Sequence, residues 1–232
     1  MDPRARAAAR LLALVALPLS AQLPEPRVTK SGDGTLWTVA GAAVLGALVL
    51  DRPIRSIAVA NQSRALDHLA NALNPLGTAG TLIPAIVVSY GLARLAHADR
   101  WSDAIVRVGL CYAAADVISA VLKPAVGRAR PFVRGDPWRF RPFAPQDNYD
   151  SFPSAHVVHI TSIGTAIAEQ ADRPWVTIVA GTAVTLVAAQ RVYRDQHWTS
   201  DVVAGGVLSV ATATATLRWL RRRSERRQPG AD

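Results

Sequence analysis

The sequence predicts an all-α protein, a bundle of about six core helices embedded in a membrane. Half of the 232 residues are hydrophobic, and they gather in segments that lack the alternating period of strands. Tryptophans stand at the ends of these segments, as in the aromatic belts of membrane proteins. The segments cover about residues 36–50, 81–93, 104–122, 157–168, 175–190 and 202–219.

A shorter helix is predicted over residues 63–73, where three leucines recur at helical spacing on one face. Ser63 is a candidate N-cap, because its hydroxyl can accept a hydrogen bond from the first turn. Asn74-Pro75 ends the helix, since proline disfavours a helical residue before it.

The length of the chain predicts one domain with short appendages. Residues 1–22 combine a basic start with a short apolar stretch, which is typical of a signal peptide or of an uncleaved N-terminal anchor. A polar spacer follows over 23–35, and a single helical domain over 36–220 contains a motif core at 100–220. Residues 221–232 form a basic tail.

The apolar segments give conflicting indications of whether the protein is embedded in a membrane. The apolar runs are mostly shorter than the roughly 20 residues that a span requires, and the mean hydropathy is only +0.16. Five tryptophans nevertheless flank the runs, which favours an integral membrane protein over a soluble exported one; they are Trp37, Trp101, Trp175, Trp198 and Trp219. The soluble exported alternative stays open on the sequence alone.

The formal net charge of +9 comes from arginine, since Lys30 and Lys123 are the only two lysines. The charge gathers in the C-terminal run 218–227 and around one central loop rather than along a groove, which argues against a nucleic-acid binder. A single cysteine, Cys111, excludes a disulfide within the chain.

The first motif that suggests chemistry lies in the central loop, where Lys123 is followed seven positions later by Arg130-Pro131. A lysine offers a compact charge and an arginine a planar fork, so the two can hold different oxygens of one phosphoryl group. Taken alone, a solvated basic loop has the same pattern.

The second motif, SFPSAH, runs from Ser151 to His156 directly before an apolar segment. Ser151 or Ser154 is the candidate N-cap, and the free N–H groups of the first turn, including that of Ala155, form an anion site. His159 follows one turn later, but no cysteine or carboxylate completes a metal-ligand set nearby, so we expect no metal.

The third motif places Arg191, His197 and Asp201 in the stretch RVYRDQHWTSD. A helix that starts near Thr199 and extends back one turn would bring the carboxylate beside the imidazole. Such a carboxylate orients a histidine and raises its basicity. If neighbouring helices are antiparallel, all three motifs arrive at the same end of the bundle, in an arrangement suited to phosphoryl transfer without a metal.

Together, Lys123-x6-Arg130-Pro131, Pro153-Ser154-Ala155-His156 and Arg191-x5-His197-x3-Asp201 resemble the signature of the type 2 phosphatidic acid phosphatase and vanadium haloperoxidase superfamily. The order and the spacings match. Two positions depart from the usual pattern, with Ala155 in place of glycine and Gln190 in place of serine.

The resemblance implies a role for each residue of the motifs. His197 would be the nucleophile that forms a phosphohistidine, Asp201 would hold and polarise it, and His156 would protonate the leaving alcohol and then activate water. The phosphate oxygens would be held by the three cations, the serine hydroxyl and a backbone N–H, which belong to Lys123, Arg130, Arg191, Ser154 and Ala155.

The resemblance further implies a hydrolase of phosphoric ester or diphosphate bonds that needs no cofactor and no metal. Its membrane members act on lipid phosphates and place the site on the outer face, whereas its soluble members are exported acid phosphatases of broad specificity. The leading hypothesis is a lipid phosphatase of a bacterial-type cell envelope, with an outward-facing site. The soluble phosphatase is one alternative, and a non-catalytic membrane protein that binds anionic lipid is another. No nucleic acid and no protein partner is implied.

Overall fold

The computed structural model describes residues 33–144 and 147–227, and this part of the chain is built from helices. Its α-helices, in chain order, are α1 Asp33–Ala60, α2 Arg64–Leu73, α3 Ala79–Leu95, α4 Asp99–Val126, α5 Ala155–Ala171, α6 Pro174–Tyr193 and α7 Thr199–Arg227. Short 3₁₀ turns occupy Asn74–Gly77 and Asp147–Tyr149. The predicted all-α class is confirmed.

The ends of the chain differ in part from the predicted boundaries. The predicted signal peptide, most of the spacer and residues 228–232 lie outside the described residues. Residues 221–227 of the predicted tail continue α7 as helix. The α1 helix does not stop at residue 50, because the charge of Asp51 is satisfied inside the fold by hydrogen bonds from Arg128 and Ser200.

The predicted shorter helix is present as α2, and its capping follows the sequence pattern. The hydroxyl of Ser63 accepts a hydrogen bond from the backbone N–H of Leu66 at 3.4 Å. The helix ends at Leu73, and Asn74 is both its C-cap and the first residue of the 3₁₀ turn Asn74–Gly77. This turn brings α2 and α3 together with a bend of 49° between them.

The loop after α4 depends on glycine. Gly127 ends the helix in the left-handed conformation with φ of 58°, and a Cβ at this position would collide with the carbonyl of Arg141. Arg141 in turn donates its backbone N–H to Gly127 O at 2.7 Å. The chain therefore reverses directly after α4 and returns the first motif to the end of the bundle.

The α5 helix lies at the centre and packs against α4, α6 and α7. A buried cluster beneath its first turn joins five of the helices and includes Ile54, Ala70, Val157, Val187 and Val202. Gly205 on α7 is so close to α5 that an added Cβ would lie 3.2 Å from the carbonyl oxygen of Ser154. This packing fixes the start of α5 relative to the ends of its neighbours.

Three of the described helices, α4, α6 and α7, are long and apolar enough to cross a membrane, and α2 with α3 qualifies as a bent fourth. Trp101 and Trp175 are exposed at the starts of α4 and α6, as the aromatic belt predicts. The placement of Trp198 in that belt was wrong. Trp198 is only 1% exposed, and its indole N–H donates a hydrogen bond to Ala129 O. It therefore packs in the interior of the protein.

Candidate active site

The three sequence motifs meet at one end of the bundle, where α4 and α6 end and α5 and α7 begin. His197 contacts the backbone of Ser151, which joins the second and third motifs. Arg130 donates to Gln196 at 2.6 Å, which joins the first and third motifs. The expected convergence is therefore observed, while the roles of the residues remain predictions.

His197 is held in one tautomer. It lies in the turn between α6 and α7, its side chain is buried, and its Nδ1 is 2.7 Å from the carbonyl oxygen of Ser151. Because a carbonyl only accepts hydrogen bonds, Nδ1 must carry the proton. The lone pair of the neutral ring is then on Nε2, which is the nitrogen a nucleophile needs.

The surroundings of His197 also favour its neutral form. Burial, together with the nearby charges of Arg191 and Lys123, lowers the pKa of His197 to about 4, although Asp201 opposes this change. The imidazole is thus unprotonated on Nε2 at neutral pH.

Asp201 reaches His197 less directly than the sequence suggested. The α7 helix begins at Thr199 and does not extend back to His197, and Oδ2 of Asp201 lies 3.9 Å from Nδ1 of that ring. The same oxygen accepts hydrogen bonds from Ser151 Oγ at 2.6 Å and from Trp198 N at 2.9 Å. Asp201 therefore supports His197 through Ser151 as well as through its charge.

A buried ion network behind Asp201 was missed by the sequence analysis. Arg128 Nη1 donates to Asp201 Oδ1 at 2.6 Å, and its Nη2 donates to Asp51 Oδ2 at 2.7 Å. Asp51 also accepts from the backbone and hydroxyl of Ser200. Each charge has a partner, which is the condition under which buried charges are tolerated.

Lys123 and Arg130 share one partner, Asp150, which the sequence analysis did not single out. Arg130 forms a two-pronged ion pair with its carboxylate at 2.6 and 2.8 Å, and Lys123 Nζ donates to its backbone oxygen at 2.6 Å. Burial alone would raise the pKa of Asp150, but the hydrogen bonds from Arg130 and the charge of Lys123 hold it below its usual value. Asp150 thus holds Arg130 through its charged carboxylate and Lys123 through its backbone oxygen.

The start of α5 has the properties expected of an anion site. Ser154 occupies the N-cap position, and its buried Oγ has no hydrogen-bond partner among the described residues. Ala155 is the first residue of the helix. Alanine adopts helical φ and ψ without strain, so the absence of the family's glycine leaves this turn intact. The free N–H groups and the hydroxyl are available to a phosphate.

Arg191 completes the set of cations. Its side chain is largely buried, and its Nη1 donates to Asn74 Oδ1 at 3.2 Å. The Nε atom of Arg191 is buried and has no partner among the described residues. A buried N–H without a partner is costly, which favours a ligand oxygen at this position.

His156 contacts the turn between α2 and α3, which was not predicted to contribute to the site. Its Nε2 lies 3.2 Å from Asn74 Oδ1 and 3.3 Å from Thr78 Oγ1. The close approach requires glycine at position 77, since a Cβ on Gly77 would lie 2.7 Å from the Cβ of His156.

His159 has separate partners. Its Nδ1 lies 2.9 Å from Gly77 O and its Nε2 lies 2.7 Å from Asp116 Oδ1, so it ties α5 to α4 and to the turn before α3. Within residues 33–144 and 147–227, no group of three or more His, Cys, Asp or Glu side chains is arranged to hold a metal ion.

The family model described as the PAP2 superfamily matches residues 104–225, which is more than half of the chain. The chain belongs to the PAP2 superfamily. This membership confirms the resemblance drawn from the three motifs and the predicted enzyme class, a hydrolase of phosphoric ester bonds. The predicted site residues at this end of the bundle lie inside the range that the family model matches.

Relatives of this PAP2 protein include phosphatidylglycerophosphatase B of Bacillus subtilis (strain 168), which is 26% identical over 164 residues that cover 67% of this chain and 75% of the relative. The crystal structure of Aquifex aeolicus LpxE superposes with a TM-score of 0.59 at 16% identity, over 73% of this chain and 95% of that one.

A transmembrane PAP2 type phosphatidylglycerolphosphate phosphatase from Bacillus subtilis also matches, with a TM-score of 0.55 at 19% identity, over 93% of this chain and 96% of that one. Both structural matches show that the fold is shared along most of the bundle. The long apolar helices of the described part of the chain support the prediction that this PAP2 protein is embedded in a membrane.

Proposed function

We propose that this PAP2 protein is a metal-independent phosphatase of the cell envelope that hydrolyses lipid phosphate monoesters or diphosphates through a phosphohistidine. One observation carries the proposal. His197 is buried with its proton held on Nδ1 by Ser151 O, so that Nε2 carries the lone pair of a nucleophile, near the charges of Arg191 and Lys123. The proposal includes the single catalytic domain over 36–220 and a site that faces outward.

In the first step, Nε2 of His197 forms a bond to phosphorus while the bond from phosphorus to the leaving oxygen breaks. The negative charge of the bound phosphate favours protonation of His156, and the ring then gives a proton to that oxygen, so the lipid alcohol leaves neutral. The charge that develops on the three remaining oxygens is met by Lys123, Arg130 and Arg191. Hydrogen bonds from Ser154 Oγ and the Ala155 N–H add to this stabilisation.

In the second step, water attacks the phosphohistidine and the bond from phosphorus to Nε2 breaks. His156, now neutral, takes a proton from the water, and inorganic phosphate leaves. Asp201 keeps its negative charge throughout and stabilises the positive charge that His197 carries as phosphohistidine.

The lipid part of the proposal is supported by the position of the site at the end of helices that can cross a membrane. A phosphate head group at that end would keep its acyl chains beside the apolar faces of the helices. The names of the two Bacillus subtilis relatives point to phosphorylated phosphatidylglycerol as a substrate to test first.

The test compares the wild type with His197→Ala and with the control His68→Ala, whose side chain is exposed on α2. Purified protein in detergent is incubated with lipid phosphates and with water-soluble phosphate esters, with chelator present, and released phosphate is measured. We expect lipid phosphates to be preferred, His197→Ala to lose release by at least a thousandfold, and the control to keep it.

Acid-labile labelling from a ³²P-phospholipid should accompany turnover in the wild type and be absent in His197→Ala. Phosphate release by His197→Ala at the wild-type rate would contradict the mechanism. Equal rates on soluble esters without detergent would favour the soluble acid phosphatase, and lipid binding without any release would favour a non-catalytic lipid-binding protein.

A further inference from the structure

The turn between α2 and α3 contacts His156, although the turn itself lies outside the residues matched by the family model. Asn74 and Thr78 stand at the two ends of this turn, and both have an oxygen within 3.3 Å of Nε2 of His156. The turn is itself braced, because Thr78 Oγ1 donates to Asn74 O at 2.8 Å. The contact is therefore made by an ordered pair of side chains.

We infer that Asn74 and Thr78 are positioning residues that keep a proton on Nε2 of His156. The Nδ1 atom of the same ring is then the one that exchanges protons with the leaving group and with water. The inference rests on the proposed function and adds to it the identity of the reacting nitrogen.

The hydrogen-bonding capacity of the two partners leads to this assignment. Asn74 presents Oδ1, which is only an acceptor, so Nε2 must donate to it. Thr78 has one hydroxyl proton and gives it to Asn74 O, so its oxygen can only accept from Nε2. The neutral ring therefore carries its hydrogen on Nε2, and Nδ1 has no hydrogen-bond partner among the described residues.

Asn74 also connects the two sides of the site. The same Oδ1 accepts from Arg191 Nη1 at 3.2 Å, so one oxygen fixes the position of both His156 and Arg191. An amide oxygen meets these two donors without adding charge, whereas a carboxylate there would form an ion pair with the guanidinium. The amide thus leaves the positive charge of Arg191 available to the phosphate.

The charged and titratable groups around His156 come from several elements. They are Lys123 on α4, His159 on α5, Arg191 on α6 and His197 in the turn before α7. Burial and the charges of these groups lower the pKa of His156 to about 3, so the ring is neutral until a negatively charged group lies beside it. None of these four groups is a carboxylate, and a negative charge at position 74 would oppose their effect. Aspartate at that position should therefore favour the doubly protonated imidazole.

The experiment uses the full-length protein in detergent with a lipid phosphate as substrate. Asn74→Asp keeps the shape of the side chain and adds charge, and Asn74→Ala removes the acceptor. Thr78→Val removes the hydroxyl while Thr78→Ser restores it. The matched control is Asn71→Ala, an exposed asparagine one turn earlier on α2.

We expect Asn74→Ala to lower kcat roughly 10- to 100-fold, a part of what a general acid and base contributes, with a smaller change in KM. Asn74→Asp should move the apparent pKa that governs the alkaline limb of kcat upward by about one unit or more, and should weaken inhibition by inorganic phosphate. Thr78→Val should lose activity, Thr78→Ser should recover it, and Asn71→Ala should match the wild type.

A spectroscopic readout tests the tautomer without turnover. In ¹⁵N-histidine-labelled protein, the His156 signals, assigned by their loss in His156→Gln, should show a protonated Nε2 and an unprotonated Nδ1. In Asn74→Ala the two tautomers should mix. A wild-type spectrum with the proton on Nδ1, or an unchanged pH profile in folded Asn74→Asp, would overturn the inference.

The two proposals fail in different ways. If the wild type releases no phosphate, or His197→Ala remains fully active, the proposed function fails whatever the Asn74 variants do. If the wild type is active and His197→Ala is dead while folded Asn74 and Thr78 variants keep wild-type kcat, KM and pH profile, only the positioning role fails.

Discussion

Arg128 lies 2.6 Å from Oδ1 of Asp201, and both side chains are excluded from solvent. Removing the guanidinium leaves Asp201 and Asp51 as uncompensated buried charges, so we expect Arg128→Ala to lower the free energy of unfolding by about 3–5 kcal/mol. Denaturation followed by circular dichroism in detergent measures the loss.

The control for this change is Arg94→Ala, because Arg94 forms an exposed ion pair with Asp99 at 2.9 Å. An exposed pair contributes less than about 1 kcal/mol. Equal losses in the two variants would show that the buried network does not stabilise the fold.

Gly77→Ala should disturb the site more than the fold. An added Cβ would lie 2.7 Å from the Cβ of His156, so either the histidine or the turn must shift and their contact changes. We expect a loss of about 1–3 kcal/mol in stability and at least a roughly tenfold loss in kcat. Gly91→Ala in α3 is the control, since its added Cβ has no atom within 4 Å beyond its chain neighbours and the backbone of its own helix. Similar kinetics in both variants would count against the packing of His156 on this turn.

The stability of the protein should depend on pH through His197. Burial first, and then Arg191, lowers the pKa of this histidine to about 4, whereas it is about 6.5 in an unfolded chain. The unfolded chain binds the proton more readily, so the stability contributed here is complete above pH about 6.5 and is lost as pH falls towards 4.

Replacing the histidine tests this dependence. The decline in the free energy of unfolding between pH 6.5 and 4 should be shallower in His197→Gln than in the wild type. The exposed residue His68 provides the control, and His68→Gln should keep the wild-type slope. If the slope of His197→Gln matches that of the wild type, this residue does not carry the dependence.

Asp150 should compete with phosphate for its cations. Its carboxylate holds Arg130 at 2.6 and 2.8 Å, so Asp150→Asn leaves more positive charge for a bound anion. We expect inorganic phosphate to inhibit turnover at concentrations roughly three- to tenfold lower. The control is Asp136→Asn, which removes an exposed carboxylate of the same loop region and should leave inhibition by phosphate unchanged. Weaker inhibition in Asp150→Asn would contradict the prediction and would mean that the carboxylate mainly orients Arg130.

The sequence was sufficient for the helices and for the convergence of the motifs, because hydrophobic runs and fixed spacings are local patterns. It was not sufficient for Asp51 and Asn74, whose partners Arg128 and His156 lie 77 and 82 positions away. Nothing near Asp51 or Asn74 in the chain distinguishes it from a solvated residue. Asp150 stands next to a recognised motif, but its pairing with Arg130 depends on the loop reversal at Gly127.

The origin of Asp51 and Asn74 has a consequence for engineering. Asp51 lies on α1 and Asn74 lies in the turn between α2 and α3, so both precede residue 104, where the family match begins. A chimera that grafts residues 104–225 onto the front half of another superfamily member would inherit the reacting side chains but lose the acceptors that balance Arg128 and hold His156. An exchange of residues 104–225 between relatives should therefore succeed only when the first helices of the same donor are transferred as well.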